Sequence, residues 1–225
     1  MANINKLLGS LLSSGAATGF AGGLAGGMAS KMIKKKNVKK LGKGALQLGG
    51  VAAVGALAYT AYKRYKNPQS PAPVAAQAAA PIKQPIDLTG LFDTPEAAAF
   101  LPSPDDQAAT NELSLTLIRA MIAAARSDGR LDAQESQAIF QKIEEMGLDN
   151  ESQDLLVQEM GHPVDIDAIV NSASSPEVAA EIYVASFMAV DVDTPAEKSY
   201  LGMLASRLKL PPKLVMELEN QVNAQ

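Results

Sequence analysis

Three features of the sequence predict an all-α fold. Apolar residues from residue 105 onward recur at helical spacing, and capping residues followed by proline or glutamate divide these runs. No stretch alternates with period two for long enough to form a strand. The expected architecture is a bundle of about seven helices over 105–225, containing two pseudo-repeated helical hairpins. A Gly-rich membrane anchor and a disordered linker precede it.

The first helix of the bundle is expected from about Asn111 to Ser127, with Leu113, Leu117, Met121 and Ala124 on its apolar stripe. Asp132 caps a second, with Glu135 completing a capping-box pattern and Ile139, Ile143 and Met146 following; Gly147 stops it. Asn150 opens a third helix through Met160, which Gly161-His162-Pro163 breaks. Asp165 opens a short fourth. Ser175-Pro176-Glu177 starts a fifth through about Val190, and Thr194-Pro195 with Glu197 starts a sixth. Leu210-Pro211-Pro212 separates that helix from the last. Met121, Met146, Met188, Met203 and Met216 fall at helical spacings and read as core filler.

Charge divides the chain. Residues 1–86 hold twelve Lys/Arg and no acid, whereas 87–225 hold eight Lys/Arg against twenty-four acids, a net of −16. The uncharged segment within 1–30 places Gly15, Gly19, Gly23 and Gly27 four apart, a small-residue stripe that suits self-association of helices. A flexible glycine-rich tail is the alternative, because each Gly costs a helix interior about 1 kcal/mol relative to Ala. Residues 31–66 begin with seven lysines in the thirteen positions 31–43. The uncharged stretch 44–62 follows, nineteen residues that reach roughly 28 Å as a helix, about the hydrocarbon thickness of a bilayer. Tyr59, Tyr62 and Tyr65 lie near one end, as interfacial aromatics do. The expectation is a bacterial inner-membrane protein, single pass or hairpin, that contacts lipid and has a periplasmic C-terminal domain. Soluble nucleic-acid binding through 31–43 is the weaker reading, since that run lacks Arg and aromatics.

Residues 67–104 read as a Pro/Ala linker with a short helix at Thr94–Phe100, and 105–225 as an acidic helical domain. Within the latter, 121–148 and 184–210 resemble one another. Asp128 pairs with Asp191, Glu135 with Glu197, Ile139 with Leu201, Met146 with Leu208 and Leu148 with Leu210, the second turn being one residue shorter. Such a repeat suggests hairpin packed on hairpin.

The runs AARSDGRLDAQE (124–135), AVDVDTPAEKSYL (189–201) and LKLPP (208–212) resemble the YebE-like family of enterobacterial inner-membrane proteins of unknown function. The C-terminal domain of that family belongs with the TerB-like helical domains. The resemblance covers about 105–225. It implies an all-helical fold with no defining enzyme reaction, and a proposed metal-binding role for acids at the positions of Asp128 and Asp191.

The acidic turns admit two readings. Asp128 and Asp191 sit at helix C-termini, where the macrodipole disfavours an anion by about 0.3–1 kcal/mol. A divalent cation shared between the turns would offset this, with Asp128, Asp132, Glu135, Asp191, Asp193 and Glu197 as candidate oxygen ligands. The other reading makes Asp132 and Thr194 N-caps, Glu135 and Glu197 their capping-box partners, and the remaining acids solvated. No catalytic residue is expected. His162, the single histidine, reads as part of a helix-ending turn, no phosphate-cradling Gly-Lys-Ser/Thr loop is present, and there is no cysteine. The function predicted is a non-enzymatic, membrane-tethered helical module for interaction with a protein partner or for sensing, with divalent-metal binding as the alternative.

Overall fold

The computed structural model describes residues 4–13, 50–67, 95–103, 105–127, 149–190, 192 and 194–224. All regular structure among them is helical: α1 Ile4–Ser13, α2 Gly50–Lys66, α3 Pro95–Ala98, α4 Gln107–Ala125, α5 Asn150–Gly161, α6 Ile166–Asn171, α7 Pro176–Met188, α8 Pro195–Arg207 and α9 Pro212–Asn223. The helix expected behind Asp132, the lysine run 31–43 and the stripe Gly15, Gly19, Gly23 and Gly27 lie outside the described residues.

Local chemistry sets most helix starts. Side chains of Asp106, Asp149 and Asp165 accept from the backbone N–H groups of Ala109, Ser152 and Ala168 at 2.8–2.9 Å. Ser175 does the same for Val178 at 3.2 Å. Each bond satisfies one of the donors that a helix N-terminus leaves open. Helix α4 begins four residues before the expected Asn111, because Asp106 is its cap. Helix α8 ends in a Schellman turn: Leu210 N–H donates to the Ala205 carbonyl at 3.0 Å and Lys209 N–H to that of Ser206 at 3.1 Å. Lys209 occupies the left-handed position there, at φ 56°.

Helices α4 and α7, which carry the first halves of the two repeat copies, pack against each other more extensively than any other described pair. Leu117, Met121 and Ala124 are buried on α4, and Ser186 Oγ reaches across to donate to the Ala120 carbonyl at 3.3 Å. Met121 is in the core, but Met203 and Met216 are exposed. On α9 the inward stripe is Leu214, Leu218 and Gln221, and Met216 lies two residues off it.

Helix α2 does not behave as a membrane segment. It packs against α9, α1 and α7, and buries Val51, Val54, Leu57 and Ala58 in the same core as Leu117, Ile182 and Leu218. Among the described residues no helix is long and apolar enough to cross a membrane. This overturns the expected membrane-spanning helix over 44–62, and with it the single-pass or hairpin inner-membrane location. The physical reason is that a helix without a charged face suits a lipid interior or a protein interior equally. Here protein surrounds it, and each buried Val or Leu contributes about 1.5–3 kcal/mol of transfer free energy.

The contacts of α2 account for its composition. Asn5 Oδ1 on α1 accepts from the Val51 N–H at 3.1 Å, capping α2 from a neighbouring helix. A β-carbon on Gly50 would meet the Gly9 nitrogen and Leu8 Cγ at 2.5 Å, so only glycine lets α1 approach this closely. The tyrosines expected at a lipid interface pack instead around Phe100, just beyond α3. Its ring centroid lies 5.8 Å from that of Tyr59 and 5.6 Å from that of Tyr62, both edge-on. Lys66 Nζ sits 4.6 Å above the Tyr62 ring.

Candidate functional site

A cleft of about 260 Å³ lies between α4, the end of α5, and α6. Its geometry begins with the stop of α5. Pro163 disfavours helical dihedrals at the residue before it, and His162 adopts φ −76°, ψ 146° as the C-cap. The chain then turns back into α6. Arg126, just past the end of α4, fastens this turn by donating from one Nη to the carbonyls of Met160 and His162, at 3.2 and 2.9 Å. A cation at these terminal carbonyls also complements the negative end of the α5 dipole.

Across the cleft mouth, Arg119 on α4 meets Glu159 on α5 in a two-pronged pair. Nε donates to Oε2 at 2.7 Å and an Nη donates to Oε1 at 2.9 Å. The hydrogen bonds from Arg119 hold the Glu159 carboxyl below its ordinary range against the opposing effect of burial, and the same bonds raise Arg119. Glu159 is therefore a carboxylate covered on both oxygens and a weak base. Ile122, Val164 and Ile169 form the apolar wall, and Thr116 and Ser172 supply hydroxyls. The arrangement can hold a small apolar group beside a charge-neutralised pair.

Five of the six candidate cation ligands, Asp128, Asp132, Glu135, Asp191 and Asp193, lie outside the described residues. The sixth, Glu197, is buried at the N-terminus of α8, where its Oε2 accepts from the Thr194 N–H and Oγ1, each at 3.0 Å. Thr194 Oγ1 in turn accepts from the Glu197 N–H at 3.2 Å, completing the capping box. Among the described residues no three His, Asp or Glu side chains are grouped to hold a metal ion. The expectation of metal binding gains nothing here, and Glu197 Oε2 is engaged in the cap.

Sequence reasoning passed over Arg119 and Glu159, which are forty positions apart with no local pattern linking them. It also passed over Glu181. That residue is fully buried on α7, and neither carboxyl oxygen has a hydrogen-bond partner. A signal was present, since Glu181 is the one acid in the otherwise apolar run 178–185. Burial pushes its carboxyl well above the ordinary range, and the charge of Glu177 pushes the same way.

The family profile described as Protein of unknown function (DUF533) matches residues 18–222. The chain belongs to this family. This DUF533 chain is also similar to a Yersinia enterocolitica protein described as "Uncharacterized protein in ampR 5'region". The two are 29% identical over 106 residues, covering 47% of this chain and 76% of the relative. No solved structure gives a significant match. The DUF533 match takes in α2 and reaches the last turn of α9, and it leaves out α1, whose Leu7, Leu8 and Leu11 share the same core.

Proposed function

We propose that this DUF533 chain is a non-enzymatic helical binding module that engages a protein partner through the cleft beside Arg119 and Glu159. The observation that carries this reading is the pairing of an apolar wall with an ion pair whose charges cancel. Val164 on the wall and Val157 on α5 are both more than a third exposed. A partner segment presenting one or two apolar side chains, with backbone groups to meet Thr116 and Ser172, suits such a surface. Catalysis by acid–base exchange calls for a group poised near neutral pH, and the Glu159 carboxyl is held away from that range. Kinship with the TerB-like helical domains is the finer assignment within this proposal, and it likewise implies no reaction.

The test uses the full chain with Val164→Asp, and Met216→Asp as a control on an exposed residue that does not line the cleft. Each protein is affinity-purified after crosslinking in its source cells. A partner recovered with the wild type and with Met216→Asp, and lost with Val164→Asp, supports the cleft as the docking site. Equal recovery with all three proteins would show that the cleft is not used.

A further inference from the structure

Glu181 occupies a position that burial alone makes unfavourable. Its carboxyl lies where α7 crosses α2 and the segment after α3. A β-carbon on Gly55 would sit 2.9 Å from Glu181 Oε1 and 2.8 Å from the Phe100 carbonyl oxygen. Three elements thus converge on a point where only a glycine fits and where a carboxyl has been placed. An ionised carboxylate there would be shielded from solvent and would have no hydrogen-bond donor. A protonated carboxyl removes the charge, which is the costliest part of that burial.

We propose that Glu181 is a proton-dependent latch that keeps α2 docked against α7: closed when the carboxyl carries its proton and opened when it ionises. The surrounding charges leave that role to Glu181. On its own helix the acting neighbour is Glu177, one turn earlier, which reinforces protonation. Helix α2 carries no charge from Gly50 to Tyr62, and Glu96 on α3 is exposed. On α4, Glu112 is exposed and Arg119 is bound to Glu159. On α8, Glu197 belongs to the capping box, Lys198 is exposed and Arg207 pairs with Asp167. On α9, Lys213 is exposed, Glu217 is half-buried, and Glu219 accepts from the Tyr183 hydroxyl at 2.6 Å.

The sign follows from linkage. The docked state binds a proton that the undocked, solvated carboxyl gives up near its ordinary value of 4.5. Above that value, and up to the docked-state value, the ratio of undocked to docked α2 rises by up to about tenfold per pH unit. The latch therefore holds at mildly acidic pH and loosens toward alkaline pH.

Hydrogen exchange of the full chain, resolved by segment and corrected for the intrinsic pH dependence of amide exchange, reads this directly. From pH 5 to pH 8 the amides of α2 are expected to lose protection, while those of α4 lose little. In Glu181→Gln, which is isosteric and cannot ionise, α2 protection is expected to stay level with pH. Glu177→Gln, a milder change at a half-buried position, is expected to give an intermediate loss. An α2 profile in Glu181→Gln that falls with pH as steeply as the wild type would overturn the latch. So would a wild-type loss shared equally by α4 and α2.

Discussion

Gly50 lies so close to Gly9 that a β-carbon on it would stand 2.5 Å from the Gly9 backbone nitrogen. This contact joins α1 to the first turn of α2, and its partner atom cannot swing aside. Gly50→Ala is therefore expected to destabilise the protein by about 1–2 kcal/mol, the clash outweighing any gain in helix propensity. Gly202 is the contrasting case, exposed within α8 with nothing near its Cβ position. Gly202→Ala is expected to stabilise by about 0.5–1 kcal/mol. Urea denaturation midpoints of both variants check the pair of signs.

Lys209 holds a left-handed conformation in the Schellman turn at the end of α8, where glycine carries no steric penalty. Lys209→Gly is expected to raise stability by about 0.5–1 kcal/mol. Lys209→Val is expected to lower it, since a β-branched residue suits that conformation least. The difference between their thermal midpoints is the readout.

Thr194 and Glu197 satisfy one another's neighbouring backbone donors at the start of α8. Thr194→Ala removes one side of that exchange and is expected to cost about 1 kcal/mol. Thr194→Ser keeps the acceptor and is expected to retain most of the stability. Equal losses in the two variants would assign the effect to packing of the methyl group rather than to the cap.

Two of the buried glutamates, Glu159 and Glu181, are expected to shape stability from opposite ends of the pH scale. The Glu159 carboxyl is held below its ordinary value by Arg119, so its contribution is full above about 4.5 and is lost as pH falls through the folded-state value. The Glu181 carboxyl is held above its ordinary value, so stability is greatest below about 4.5 and falls as pH rises toward the folded-state value. Arg119→Ala should flatten or reverse the acidic limb and cost about 1–2 kcal/mol at pH 7. The half-exposed guanidinium makes this less than the loss from a fully buried pair. Glu181→Gln should flatten the alkaline limb. Urea midpoints from pH 3 to pH 9 resolve both limbs.

Local chemistry was the most legible part of the sequence. Ser175-Pro176 and the Thr194/Glu197 capping box mark helix starts that the structure places where their side chains require. Membership of a family of unknown function was legible from motifs in the acidic half, and the family profile goes no further than that description. Helix α2 was misread because a charge-free run of Gly, Ala, Val and Leu satisfies either solvent. What decides between them is tertiary: the approach of α1 at Gly50, the aromatic packing of Phe100 on Tyr59 and Tyr62, and the convergence at Gly55. The cleft was illegible for a similar reason, since Arg119 and Glu159 meet only once α4 and α5 are packed. Glu181 was visible as a lone acid in an apolar helix, but its meaning depends on Gly55 and Phe100.

The account rests on α2 being enclosed by the protein's own helices, and thiol labelling tests this most directly. The chain contains no cysteine, so single Val54→Cys and Met216→Cys variants each report one site. Val54 is fully buried and Met216 is 56% exposed. In protein purified without lipid or detergent, the thiol at 216 should react with a maleimide at once. The thiol at 54 should react only when urea unfolds the chain. Rapid labelling at position 54 in native buffer, matching that at 216, would contradict the packing of α2 and the reading built on it.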